Sequence, residues 1–333
     1  MTIHYNHLLS ALLLWAILAT SCENQIDIDL KPTPTQLIIH AQMSANSTNN
    51  RIFLNLSDPV KLKEVTNGVI EIRINGVLSE KPQPILPSEN KPAANSYLVT
   101  SAFRPGDVVR VDARTADGQY KAWAEVVVPQ PAFIEEAIDT MTISIRYNSF
   151  YYPNAMRYRF KIKDRPNEQN YYRLILEQGG TAYLAGGETI PLQGSGTQMI
   201  INEDVVLTDG YPNIDTDAGL FDQASNMYAI FNDKLFANNN YTMTVYLLEQ
   251  RFSHPTDYRI KLWWQIYTYI RVLSISETEF NYLKALNIID SGSLDETMEP
   301  IKFASNVNGG LGIVSISSEA SRKFYFEEHM YPK

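Results

Sequence analysis

Apolar and polar residues alternate with period two along much of this chain, and short turn signals cut the alternation into pieces. Nothing else in the sequence restricts the fold as strongly. From Gln36 onward come Leu37-Ile38-Ile39, Ile52-Phe53-Leu54-Asn55-Leu56, Val69-Ile70-Glu71-Ile72-Arg73-Ile74 and Tyr97-Leu98-Val99. Val108 to Ala113 and Tyr120 to Val128 follow. Asn67-Gly68, Asn75-Gly76, Pro105-Gly106-Asp107 and Asp117-Gly118 lie between them. Successive side chains of a strand point to opposite faces, so each run is a half-buried strand. Asn-Gly and Asp-Gly suit tight hairpins, whose central residues need positive φ. Several short strands at this spacing, with no helical stretch, predict a small β-sandwich over residues 36–131. Pro129-Gln130-Pro131 ends it, because proline cannot extend a central strand.

Residues 132–333 are richer in aromatic side chains. Arg157 to Lys163, Tyr171 to Leu176 and Tyr241 to Tyr246 again alternate, and Lys261 to Ile275 reads as one long strand because it lacks proline and glycine. Ser276-Glu277-Thr278-Glu279 is a capping box, in which the Ser hydroxyl and the Glu carboxylate satisfy free first-turn N–H groups. Phe280, Leu283 and Leu286 then fall on one side of a helix that covers a sheet. Gln178 to Gly196 and Asn202 to Asn226 read as long loops. Arg104-Pro105-Gly106-Asp107 followed by Val108, Arg110 and Asp112 resembles the corner-then-strand of immunoglobulin-like extracellular modules. The expected fold is mostly β: an N-terminal immunoglobulin-like β-sandwich, then a larger antiparallel β domain at 132–333 with one amphipathic helix.

Leu8 to Leu18 is almost wholly apolar, Ala19-Thr20-Ser21 are small, and Cys22, the only cysteine, follows. This is the outline of a secretory signal over residues 1–21. It looks like a bacterial lipoprotein signal, in which the Cys22 thiol is lipidated and becomes the new N-terminus. The apolar run is shorter than the ~20 residues that a membrane span needs. Residues 1–21 carry no Asp, Glu, Lys or Arg, so the remainder keeps the net charge of −9. That balance argues against nucleic acid as a partner. Residues 22–35, with Lys31-Pro32-Thr33-Pro34, read as an extended tether. Acidic residues close behind a lipid-bearing cysteine resemble the surface-export signal of Bacteroidota, so the expected location is the outer membrane, lipid-anchored and surface-exposed. A lipidated Cys22 leaves no thiol for a disulfide, and the core alone must hold the fold.

Catalytic chemistry finds little support. Beyond the signal the histidines are His40, His254 and His329, with no Gly-x-Ser-x-Gly elbow and no free thiol to activate. Gly309-Gly310-Leu311-Gly312 lacks the Lys-Ser/Thr of a phosphate loop, and no His or Cys pair has zinc spacing. A non-enzymatic protein with no cofactor beyond its lipid is the expectation. Alternating oxygen ligands at Asp215 and Asp217, with Asp209 and Asp222 nearby, form a calcium candidate, though Ala218 stands at the EF-hand glycine position. The aromatic cluster Tyr147, Phe150, Tyr151 and Tyr152 before Pro153 is the candidate surface for a glycan or peptide ligand or a partner. Trp263-Trp264 send their rings to opposite faces, so one of them belongs to a core. Asp139-Thr140-Met141 resembles the short O-glycosylation motif of Bacteroidota.

The chain as a whole resembles a Bacteroidota lipoprotein family catalogued only as a domain of unknown function, often encoded beside TonB-dependent receptors. The segments that carry the resemblance are Cys22 to Leu30, Ala124 to Pro129, Ile275 to Leu283 and Glu299 to Gly312, the last being the most specific. The resemblance implies an outer-membrane or surface lipoprotein acting with a receptor, and supplies no catalytic residues. Three functions are therefore carried forward: an accessory binding lipoprotein of a TonB-dependent uptake system, a structural or adhesive surface protein, and a hydrolase with an unrecognised site.

Overall fold

The computed structural model describes residues 34–58, 61–85, 95–147, 150–183, 187–192, 199–200, 204–209, 226–248, 263–291 and 301–330. Among them the chain is mostly β, with a single helix. The strands before Pro129 are β1 (Leu37–Ser44), β2 (Asn50–Leu56), β3 (Lys63–Glu64), β4 (Val69–Ile74), β5 (Val77–Glu80), β6 (Gln83–Pro84), β7 (Ser96–Val99), β8 (Val108–Arg114) and β9 (Lys121–Val127). Then come β10 (Phe133–Tyr147), β11 (Phe150–Lys163), β12 (Tyr171–Tyr183), β13 (Thr189–Leu192), β14 (Met199–Ile200), β15 (Ile230–Asn232), β16 (Asn240–Leu247) and β17 (Trp263–Ile275). The helix α1 (Glu277–Asp290) and the 21-residue strand β18 (Gly310–Met330) complete the order. The alternating runs of the sequence are strands, and the long strand and capped helix stand where the pattern placed them. The side chains of Trp263 and Trp264 lie outside the described ones.

Three sheets form. A ten-stranded sheet runs β13-β12-β17-β18-β1-β2-β7-β6, with β15 added on β12 and β3 on β2. Two four-stranded sheets run β10-β11-β16-β14 and β5-β4-β8-β9. The large sheet draws on both halves of the sequence through β18. Gly310 to Ser317 lie parallel to β1, with Leu37 opposite Gly310 and Ser44 opposite Ser317. From Ser318 onward the same strand pairs antiparallel with β17, beginning opposite Ser274. The β1–β18 ladder is the only parallel pairing among the described strands.

Two apolar cores lie against one face of this sheet. The first joins Leu37, Ile39, Ile52 and Leu54 to Ile70, Ile72, Val109, Val111 and Ala124 of the β5-β4-β8-β9 sheet, and takes in Val314 and Ile316 of β18. The second joins Tyr172, Leu174, Ile270 and Val272 to Tyr158, Phe160, Ile162, Met243 and Val245. There the Tyr158 hydroxyl and Thr268 Oγ1 meet at 2.6 Å, satisfying two buried polar groups across the sheets. On the opposite face, Phe280 and Leu283 of α1 cover Ile230, Leu273 and Ile275.

The long-loop reading of Gln178 to Gly196 is corrected. Gln178 to Tyr183 continue β12 opposite Thr268 to Trp263, and β13 pairs with them. Gly179 is a packing residue rather than a turn: a Cβ there would sit 2.7 Å from the Tyr267 hydroxyl, whose ring needs the space. Of the second expected loop, Asp204 to Asp209 form a turn and residues 210–225 lie outside the described residues.

The Asn308-Gly309-Gly310-Leu311-Gly312 signature has a mechanical reading. Asn308 exchanges backbone hydrogen bonds with Trp123, and Gly312, opposite Ile39 in the parallel ladder, stands at φ +103°. A Cβ at Gly310 or Gly312 would collide with the carbonyl oxygen of Leu37 or Ile39. Replacing Gly312 by Ala is therefore expected to cost about 3 kcal/mol. Gly76→Ala, at a turn with φ +82° and open space around it, should cost about 1 kcal/mol. Urea unfolding midpoints at unchanged m-value check both, and equal costs would contradict the close-approach reading.

Candidate functional site

A cleft of about 390 Å³ opens where the β11–β12 connection meets the segment between β15 and β16. Asp164, Asn167, Glu168, Asp233, Lys234 and Asn238 line it. Asp164 directly follows β11. Arg165-Pro166-Asn167-Glu168 then turn the chain, with Asn167 at φ +67°, a conformation that asparagine tolerates. Asn238 makes the matching bend at φ +62° before β16 begins.

The two aspartates are 6% and 2% exposed, and one amide ties them together. Asn170 Nδ2 donates to Asp164 Oδ1 at 3.3 Å and to Asp233 Oδ2 at 2.9 Å. Asp233 Oδ2 also accepts the Asn170 backbone N–H at 2.7 Å, and Asp164 Oδ2 that of Asn238 at 2.7 Å. Arg165 donates to Asn170 Oδ1 at 2.6 Å and pairs with Glu168 at 2.7 Å. Burial pushes the Asp164 carboxyl above the usual carboxylate range, and the neighbouring Asp233 charge adds to the push against the Asn238 N–H. The fully buried Tyr172 hydroxyl, which is not part of the cleft lining, has no hydrogen-bond partner and lies within electrostatic range of Arg165, Asp164, Asp233 and Glu168.

A second polar group is sealed under α1. The Ser276 hydroxyl accepts the Glu279 N–H at 3.2 Å, so the serine half of the capping box forms. The Glu279 side chain turns inward instead of closing the box: Gln42 Nε2 donates to its Oε1 at 3.4 Å, and its Oε2 finds no partner. The half-buried Arg173 guanidinium and the Ser315 hydroxyl attract the carboxylate away from the helix end. Burial nonetheless holds the Glu279 carboxyl above its ordinary range, with Ser315, Arg173 and Gln42 pulling it back. Arg173 lies over the Tyr228 ring at 5.4 Å, so its charge faces an aromatic surface as well.

The aromatic cluster lies at the end of the β10–β11 hairpin. Tyr147 stands opposite Phe150, Arg146 opposite Tyr151, and Ile145 opposite Tyr152. Tyr151 is 62% exposed, whereas Tyr152 packs against Ala155, Tyr246 and Leu248. Strand alternation separates these two rings. The side chains of Tyr147 and Phe150 lie outside the described ones, and so do Cys22, Asp215 and Asp217. Among the described residues no three His, Cys, Asp or Glu side chains converge as a metal centre. Asp164, Asp233, Arg173 and Glu279 do not stand out as site residues in the sequence, because each is alone and without motif spacing. The turn signal Asp164-Arg165-Pro166-Asn167 is the one available hint.

The chain belongs to the family described as Domain of unknown function (DUF4249), whose model matches residues 23–323. No curated protein matches it.

The Glu279 geometry sets a pH dependence. A raised folded pKa means that the folded state takes up this proton before the unfolded chain does. Stability gained from it appears as pH falls through the folded pKa, and is complete below the unfolded one. Wild type should therefore gain on Glu279→Gln between pH 8 and pH 5. Each tenfold by which the folded state holds the proton more tightly than the unfolded chain is worth about 1.4 kcal/mol. Urea titrations at both pH values measure the gain, and a difference between the two proteins that does not change with pH would contradict the assignment.

Proposed function

We propose that this DUF4249 chain is a lipid-anchored, surface-exposed protein that serves a TonB-dependent outer-membrane uptake system by binding, with no chemistry of its own. Cys22 carries the reading. It is the only cysteine, it follows an apolar segment and three small residues, and the family match begins at the residue after it. Acyl chains on that thiol would hold the outer membrane, and the proline-containing segment behind it would keep the β-sheets clear of the surface. The first sandwich is read as immunoglobulin-like, a module suited to presenting loops and hairpin ends to a partner. The binding element would be the β10–β11 hairpin with exposed Tyr151, meeting a receptor, a glycan or a peptide. A fold held by buried cores needs no disulfide, which agrees with a cysteine reserved for lipid.

Cys22→Ala is expected to lose radiolabelled palmitate and to leave the outer-membrane fraction, while its unfolding midpoint stays as in wild type. A variant that still sediments with the outer membrane would overturn the anchor. Affinity capture of the lipidated protein from detergent-solubilised outer membranes should recover a TonB-dependent receptor. Recovery of none would overturn the uptake role.

A further inference from the structure

We infer that two copies of this chain pair through β10, antiparallel about a two-fold axis at Ile143, so that their β10-β11-β16-β14 sheets continue into each other. The pairing depends on neither the lipid anchor nor the uptake role. β10 is 15 residues long and pairs with β11 alone among the described strands. Its other side presents a row of backbone N–H and C=O groups. Proteins blunt such edges with short strands, proline, charge, bulges or a covering segment. Among the described strands every other edge is blunted. β3, β6, β14 and β15 have two or three residues, β5 and β13 have four, and proline stands in β6 and β13. β9 is longer, but Asn308 bridges it at Trp123.

The first part of β10 is blunted too. Register shifts between Ile134 and Ala137 and between Ala137 and Asp139 place extra residues in β10, and Glu135-Glu136 adds charge. Arg322 Nη2 also donates to the Ile134 carbonyl at 3.2 Å. Beyond Asp139 these devices stop. Thr140-Met141-Thr142-Ile143-Ser144-Ile145 has no charge, proline or glycine, the composition of a strand that accepts another. One shift remains, between Ile143 and Ile145, but its extra residue is in β11, where Pro153 and Asn154 stand against Ser144 alone. The free edge of β10 is therefore regular here.

A second copy fits because the stretch is complementary to itself. Antiparallel pairing centred on Ile143 sets Met141 opposite Ile145, and Thr142 opposite Ser144, of the other copy. Met141, Ile143 and Ile145 share one face of the strand, and Thr140, Thr142 and Ser144 share the other. Ile143 and Ile145 already pack on Ala155, Tyr246 and Leu248, so this cluster would run across the axis and cover Met141, now 48% exposed. Hydroxyls that face solvent at Thr142 and Ser144 would meet as a favoured cross-strand pair. Charge agrees: β10 begins acidic at Glu135-Glu136 and ends basic at Arg146, so antiparallel pairing brings unlike ends together. The contact is isologous, so it closes at two copies.

Single cysteines along β10 of the full chain in detergent, oxidised and read on non-reducing gels, test the register. Ile143→Cys, on the axis, should cross-link well above wild type. Thr140→Cys and Arg146→Cys, each about 20 Å from its own copy, should not. By sedimentation velocity the wild type should form a dimer whose fraction rises with concentration. Thr142→Lys, which adds the charge that other edges use, should raise the dimer dissociation constant at least about ten-fold and leave the unfolding midpoint of the dilute protein unchanged. A wild type that stays monomeric at about 100 µM overturns the inference. So does a dimer that Thr142→Lys leaves intact, or equal cross-linking at 140, 143 and 146. If Ile143→Cys does not fold, the exposed Thr142→Lys decides.

Discussion

One strand, β18, holds the architecture together. Its first part lies parallel to β1, and its second part lies antiparallel to β17. Val314 and Ile316 enter the first core, and Ala320 and Phe324 pack on the second. Ser315, on the other face of the strand, looks toward Glu279 of α1. Because side chains alternate along a strand, a slip of one residue would turn both cores inside out at once. Gly310 and Gly312 set the register, since only glycine lets the backbone pass so close to Leu37 and Ile39.

The polar groups of interest sit where this arrangement leaves edges. Asp164 and Asp233 occur at strand ends, where chain reversals bring carboxylates and amides together without a helix or a metal motif. Glu279 sits on the helix that covers the outer face of the large sheet, and faces Gln42 of β1, Ser315 of β18 and Arg173 of β12. One side chain therefore reports on strands from both ends of the chain. In the low dielectric beneath α1 its charge matters far more than an exposed ion pair such as Lys63–Asp58 would.

The strands are legible because a half-buried strand writes its burial into the sequence with period two, as in Val108 to Ala113. The helix is legible because Ser276 signals a free helix end. What escapes is non-local. Nothing in Leu37 to Ser44 announces a partner more than 270 positions away at Gly310 to Ser317. Gly179-Gly180 reads as a loop because the Tyr267 ring that fills the space above Gly179 comes from another strand. Glu279 is legible as a cap but not as a buried charge, since Arg173 is brought beneath it only by the sheet. The aspartate cleft leaves no spacing signal at all. Cys22, by contrast, is a sequence feature throughout, and the functional reading rests on it.

Sharing β18 between two cores makes one claim above the others: residues 35–333 unfold as a single cooperative unit, in keeping with their compact clustering. Native-state hydrogen exchange tests it most directly. The slowest amides of β4 and β8 and those of β11 and β16 should open with the same free energy, which falls together as urea is added. Two distinct opening free energies, one for each core, with β18 dividing between them at Ser318, would contradict it.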